Sequence, residues 1–435
     1  MTSNFIRKSQ LYFIFSFLGA IAIGTMLLKA PFVTHNSGTL QWLDALFIST
    51  SAVCVTGLVT VATSGFNLAG QLIILLLIQI GALGIMTLTA SVIVLMGRKM
   101  NYSNSMMFSN LSDSFPIKSV EGLLRTILTY MLVIEFCGFI LLTYGFLVMG
   151  KFTFAEAAYQ AFFHSISAYC NAGFSTFDTS LIGLSPFIKI VISLLIILGG
   201  LGVYVIYELT HLSQKHFLRI HTRLVLISSL ILIIFGAVSL KFLEYRGNIP
   251  LSWLDAYFQS VTARTAGFNS IPMNEASLHS GCIIVLIVLM LIGASPGGTG
   301  GGMKTTTAAL VFISLYNTFK GNKKVLLFKR EIMQNNVLKA FTITFTFIGL
   351  SLLAATWLTA TDNFRLDHSL FEVASALGTV GLSLGLSAEA SPMGKLILIF
   401  CMFIGRIGPF TLFLFLLGRE KTSRIGYPEE RVILG

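Results

Sequence analysis

Four short segments of this chain share one build, and their residue types point to one chemistry, the holding of a bare cation by backbone oxygens. They run from Phe47 to Gly57, Phe163 to Gly173, Phe258 to Gly267 and Phe371 to Gly381. Each opens on phenylalanine, passes through a half-polar stretch and closes on glycine; the third is one residue shorter than the others. A dehydrating cation needs replacement oxygens, and a ring of carbonyls supplies them. For consecutive carbonyls to face one axis, some residues must leave the usual φ/ψ regions, which glycine does without steric cost. The candidate ion ligands are therefore the last peptides of each segment: Val55, Thr56 and Gly57; Asn171, Ala172 and Gly173; Thr265, Ala266 and Gly267; Thr379, Val380 and Gly381. One such glycine would read as close helix packing. Four at matched positions read as a filter.

The elements that must position these residues follow from composition. The 435 residues are 55% hydrophobic and only 11% charged, with mean hydropathy +0.84, whereas soluble domains carry about 25% charged residues. The apolar runs are continuous over about 20 residues rather than alternating with period two, so the expectation is an all-α polytopic membrane protein and not a barrel. Each glycine-terminated segment lies between two such runs and is too short to span a bilayer, so it must re-enter, lining water or buried in protein. The plan is outer helix, pore helix, filter strand, inner helix, four times over: eight transmembrane spans around one pseudo-fourfold pore. The whole chain, 1–435, reads as a single ion-transport domain with repeats at about 11–97, 125–210, 223–317 and 336–418 and a short tail at 419–435. Inner helices are expected at about 71–96, 186–209 and 393–418, with a broken one after Cys282. Asp44 and Asp255 stand near the starts of two pore helices, where a carboxylate favours the helix N-terminus.

The net charge of +11 does not call for nucleic acid. Lys and Arg gather at 98–125, 211–223, 320–339 and beyond Arg419, as cytoplasmic loops require, and place both termini on the cytoplasmic side. The run 11–28 reads as a first transmembrane helix rather than a signal peptide. The five cysteines show no C-x-x-C or metal spacing; Cys54 and Cys170 each precede a filter glycine by three residues and read as small packing groups. His211, His216 and His221 are expected to be solvated. Asp178, Asn269 and Glu389 follow filter strands and are candidates for a cation-concentrating outer mouth. Glu135, inside an outer helix, can pair with a basic group or sit near a cavity; its function is open, and a structural pair is the expectation.

Two further features break the membrane pattern. The third inner helix is interrupted at 293–304 by Gly293, Ser295, Gly297, Gly298, Thr299, Gly300, Gly301, Gly302 and Lys304, with Ala294, Pro296 and Met303 between them. A stretch so rich in glycine cannot stay helical in lipid and must line the aqueous path. It is no phosphate-binding loop, because Met303 separates Gly302 from Lys304 and no strand precedes it. Arg406 is a charge deep in an apolar run, and such a charge faces a cavity or a partner.

On these residues the chain resembles the Trk/Ktr/HKT superfamily of cation transporters, in particular the membrane subunits of the Ktr potassium-uptake type (KtrB type), over nearly its whole length. In the plant relatives, serine at the first filter position goes with sodium and glycine with potassium, so Gly57 implies K+ as the transported ion, with Na+ in a Trk-type or sodium-permeable relative as the alternative. The resemblance implies that 293–304 is an intramembrane loop gating flow beneath the filter, and that Arg406 is a positive barrier beside it. It also implies a homodimer with one pore per subunit and the tail at its interface, a cytosolic ring of nucleotide-binding RCK-type regulatory subunits, and residence in the bacterial cytoplasmic membrane. A membrane-embedded enzyme is the rival of another class. It would need paired intramembrane aspartates, a metal triad or a nucleophile with a base, and the sequence offers none.

Overall fold

The computed structural model describes residues 2–34, 40–84, 120–212, 217–244, 251–273, 278–322 and 324–408. The charged loop from Arg98, Lys215, His216, residues 409–418 of the expected last inner helix and the tail 419–435 lie outside the described residues.

Each glycine-terminated segment has a helix on either side. The first unit is α1 (Thr2–Lys29), α2 (Trp42–Val53) and α3 (Leu68–Leu83). The second is α4 (Val120–Val148), α5 (Phe154–Tyr169) and α6 (Pro186–Leu201), followed by α7 (Val203–Thr210). The third is α8 (Ile220–Glu244), α9 (Trp253–Thr262) and α10 (Ser280–Leu291), with α11 (Thr305–Phe319) beyond the glycine-rich interruption. The fourth is α12 (Gln334–Asp362), α13 (Leu366–Gly378), the short α14 (Leu386–Glu389) and α15 (Pro392–Ile407). A two-stranded hairpin, β1 (Leu326–Leu327) and β2 (Arg330–Glu331), joins α11 to α12.

Helix starts follow local chemistry. Thr153 and Glu156 form a capping box on α5. Asn67, Ser185, Ser252 and Ser391 cap α3, α6, α9 and α15, and Pro186 and Pro392 occupy the first helical positions, where a missing N–H costs nothing. The phenylalanines that open the four segments, Phe47, Phe163, Phe258 and Phe371, are all fully buried, each anchoring a pore helix in the core.

Among the described residues three helices are long and apolar enough to cross a bilayer, Arg125–Val148, Ile220–Leu243 and Gln334–Asp362; the bent pair α6–α7 is a fourth if taken as one span. Within the described residues, three of the expected inner helices are interrupted at a glycine. The expected continuous helix 186–209 is broken at Gly202, where α6 and α7 meet at 99°. Likewise α3 stops at Gly84 and α15 at Gly408. Gly84, Gly202 and Gly408 have nearly the same backbone, with φ 71°, 90° and 87° and ψ 134°, 142° and 128°. Three residues earlier in each stands another glycine, Gly81, Gly199 or Gly405, pressed on the end of its own pore helix. A methyl group there would lie 2.0, 1.9 or 2.1 Å from the carbonyl oxygen of Val53, Tyr169 or Leu377. Hydropathy does not register such breaks, because the residues on both sides stay apolar.

The units close on one another in sequence order. Inner helix α3 packs on pore helix α5, α6 on α9, α10 on α13 and α15 on α2. Two of these seams carry part-buried ion pairs, Lys189–Asp255 at 2.7 Å and Lys395–Asp44 at 2.8 Å. At the equivalent place in a third, the Tyr159 hydroxyl donates to Gln71 Oε1. The aspartates that the sequence suggests for helix N-termini thus have lysine partners on the neighbouring unit.

Candidate cation filter and the loop beneath it

The four segments converge. A methyl group built on Gly57 would stand 2.4 Å from the Ala172 carbonyl oxygen, on Gly173 2.5 Å from that of Ala266, on Gly267 2.2 Å from that of Val380, and on Gly381 2.4 Å from that of Thr56. Each glycine lies against the carbonyl that precedes the next glycine, and the fourth returns to the first. The contacts form a closed ring with no room for a side chain.

The backbone of the ring is unusual in the same way four times. The glycines have φ of 94°, 70°, 77° and 98°, and the residues two before them are also left-handed: Val55 at 57°, Asn171 at 58°, Thr265 at 85° and Thr379 at 50°. For β-branched residues this is a costly conformation, one that persists only where the surroundings enforce it. Two left-handed residues spaced by one turn carbonyls that would alternate in a strand toward one side. The strands are held from behind: Thr56, Ala172 and Val380 N–H each donate to the carbonyl of a pore-helix serine, Ser51, Ser167 or Ser375, at 2.8 Å. Gly57 and Gly381 N–H reach the hydroxyls of Ser51 and Ser375 at 3.0 Å. In the shorter third copy, Ala266 and Gly267 N–H share the Thr262 carbonyl at 2.9 and 3.2 Å. These serines stand six residues before the glycine in three copies, a register that aligning the copies exposes. The Thr56 and Thr265 hydroxyls are buried without a hydrogen-bond partner.

On one side the four glycines line a common open vestibule of about 380 Å³, together with Asp178, Asn269, Ser180 and Ser383. Glu389, the third residue suggested for this mouth, is exposed and does not line it. The vestibule loops are tied to the pore helices by groups the sequence reading missed. Buried Glu372 accepts from Ser383 Oγ (2.5 Å), Leu384 N–H (3.0 Å) and Ser387 Oγ (2.8 Å). At the equivalent place His164 Nε2 meets Ser175 Oγ at 3.0 Å.

On the other side lies the loop 293–304. Its two ends touch, Gly293 N–H donating to the Met303 carbonyl at 2.8 Å and Thr305 N–H to that of Ala294 at 3.2 Å. Between them it lies against three filter strands. Thr299 Oγ1 is 3.1 Å from the Asn171 side-chain amide. Gly301 N–H donates to Thr379 Oγ1 at 3.0 Å. A methyl group on Gly300 would meet Thr265 Oγ1 at 2.1 Å. The loop also bonds to the broken inner helix of the second unit, Ser295 N–H to Gly200 O and Thr299 N–H to Gly199 O at 3.0 Å each, and Val203 N–H, at the start of α7, to Gly297 O at 3.2 Å. Ser295 Oγ pairs with Thr305 Oγ1 at 2.9 Å, inside the loop's neck. Gly298 and Gly302 complete the contact, a methyl group on either meeting Gly200 O at 2.7 Å or Gly378 O at 3.1 Å. Lys304 Nζ turns back onto Gly300 O at 2.7 Å.

Arg406 sits in the last turn of α15, not in the middle of a 393–418 helix, yet it does not reach for an aqueous interface. Its guanidinium donates to Thr299 O of the loop and to Gly81 O and Ala82 O of α3. One cation thus ties the fourth unit, the first unit and the loop together below the ring. Glu135 departs from expectation: its partners are the Gln79 amide and the Cys170 thiol, not a basic group. Cys54 and Cys170 are buried at the ends of their pore helices, as packing residues should be. His211 stacks on Tyr207 and His221 packs edge-on against Tyr204, so neither is simply solvated.

The profile of the TrkH cation transport protein family matches residues 20–422. The chain belongs to that family. Relatives extend along nearly its whole length. The Ktr system potassium uptake protein B of Vibrio alginolyticus is 37% identical, over 97% of this chain and 93% of that protein. Its namesake in Bacillus subtilis (strain 168) is 34% identical over 96% and 95%. The potassium/sodium uptake protein NtpJ of Enterococcus hirae is 34% identical over 95% and 94%. The crystal structure of the potassium transporter TrkH from Vibrio parahaemolyticus superposes with TM-score 0.74 at 18% identity, covering 96% of this chain and 86% of that one, and shows that the fold is shared.

Proposed function

We propose that this TrkH-family protein takes up potassium across the cytoplasmic membrane through a gated, carbonyl-lined pore. The observation that carries the reading is the closed ring of Gly57, Gly173, Gly267 and Gly381, open to a vestibule on one face and covered by the loop 293–304 on the other. In this reading the domain is one unit of four repeats and eight spans, with both termini in the cytoplasm. A cation sheds water in the vestibule and exchanges it for the carbonyls of residues 55–57, 171–173, 265–267 and 379–381. The negative C-terminal ends of α2, α5, α9 and α13 favour it there. The membrane potential supplies about 2.3 kcal/mol per charge per 100 mV toward the inside. Below the ring, the loop with Lys304 and the Arg406 guanidinium closes the path sterically and by charge; flow requires the loop to leave its bonds to Gly199, Gly200 and Arg406.

The relatives' names support potassium as cargo, and the name of the Enterococcus protein supports sodium as a second ion. Naming of the relatives as parts of a Ktr system supports a separate regulatory partner, which we assign to a cytosolic nucleotide-binding ring of RCK type docked on a homodimer. Growth of potassium-uptake-deficient cells at low K+ on expression of the chain, with Rb+ uptake measured alongside, tests the reading. Membrane-inserted protein without Rb+ uptake overturns it.

A further inference from the structure

Glu135 has no place in the pore just described. It lies mid-way along outer helix α4, is 6% exposed, and forms no ion pair within 4 Å among the described residues. Gln79 Nε2, from inner helix α3 of the preceding unit, donates to both of its oxygens at 3.2 and 3.0 Å. The Cys170 thiol, at the end of pore helix α5, points to the same group, 3.8 Å from Glu135 Oε1 and 3.1 Å from Gln79 Oε1. The Gln79 amide donates to both oxygens, an arrangement that a carboxylate accepts. An isolated carboxylate this deep in an apolar protein is costly and marks a functional position.

Its surroundings say what that position is. Cys170 is followed directly by the filter strand Asn171–Gly173. Gln79 precedes by two residues Gly81, whose carbonyl, with that of Ala82, receives Arg406. The charged side chains bonded to and within the loop beneath the ring are cationic, Arg406 donating to Thr299 O and Lys304 to Gly300 O. Two positive groups thus stand at the loop, and one acidic side chain lies behind the second strand.

We infer that Glu135 is the buried counter-charge that sets the pore's affinity for its cation, and the positioning residue that holds the second filter strand through Cys170 and Gln79. This rests on the uptake reading above. The charge acts through the protein, touching neither ion nor loop. At a separation on the order of 10 Å and an effective dielectric near 20, one charge alters cation occupancy by roughly tenfold.

The test is Rb+ uptake kinetics for the wild type, Glu135→Gln, Glu135→Asp and the exchange Glu135→Gln with Gln79→Glu, which moves the carboxylate to the other side of the same hydrogen bond. Glu135→Gln is expected to raise KM for Rb+ on the order of tenfold. Glu135→Asp and the exchange are expected to stay within about threefold of wild type, since both keep the charge. An unchanged KM in Glu135→Gln, whatever its Vmax, overturns the inference. Where Glu135→Gln does not fold, the exchange decides: it must restore both folding and KM, and its failure in either overturns the inference. Absence of Rb+ uptake by the wild type would instead be failure of the uptake reading.

Discussion

At the scale of single residues, glycine is required for two separate reasons, and they predict different losses. In the ring, positive φ and a carbonyl 2.4 Å from the missing Cβ coincide at Gly57. Gly57→Ser must displace the Ala172 peptide, so the strand shifts and the spacing of oxygens changes. The expected outcome is a lower preference for K+ over Na+, read as relative Rb+ and Na+ uptake; an unaltered ratio would remove Gly57 from the filter. In the inner helices the glycines serve packing. Gly405→Ala brings a methyl group to 2.1 Å from the Leu377 carbonyl, and overpacking of this kind typically costs about 1–3 kcal/mol. It should appear as a lower melting temperature of the purified protein. Arg406→Gln removes the charge-assisted bonds to Thr299, Gly81 and Ala82, and we expect altered Rb+ flux with the protein still folded, checked by flux and melting temperature together.

At the scale of elements, the loop 293–304 is built to be separable from the helices it interrupts. Its neck is closed by the Gly293–Met303 and Ala294–Thr305 backbone bonds, both made by residues outside 295–302. Deleting 295–302 should therefore yield a folded protein with raised Rb+ flux and weaker regulation. A folded deletion that conducts like wild type would end the gate assignment. The bend at Gly202 has a place in the same scheme, because the first N–H of α7 bonds the loop at Gly297 while its buried Glu208 accepts from Arg219 N–H (2.9 Å) and from Thr222 at the start of α8. That short helix links the loop to the start of the third outer helix.

For the molecule as a whole, the ring closes only if the fourth unit meets the first. The Lys395–Asp44 pair spans that seam, with side chains 15% and 13% exposed. Breaking a buried pair by removing one partner costs about 3–5 kcal/mol, and partial exposure lowers the expectation here to roughly 2 kcal/mol. Lys395→Met and Asp44→Asn should each lower thermal stability, and the two together should cost less than the sum. Strict additivity in that cycle would show that the pair does not hold the seam.

Much of this protein was legible along the chain. Hydropathy, the fourfold recurrence of a phenylalanine-to-glycine segment and the glycine-rich break after α10 are local signals, because lipid punishes any polar or irregular backbone wherever it occurs. The short helices α2, α5, α9 and α13 accordingly lie where the sequence placed helices. What only the tertiary structure decided are relations between distant residues: the order in which the four glycines touch, the left-handed turn of Val55, Asn171, Thr265 and Thr379, the carbonyls that receive Arg406, and a lysine that meets an aspartate 351 positions away. Those depend on which helix packs beside which. Hydrophobicity, being non-directional, drives apolar runs out of water without saying which neighbour each will find.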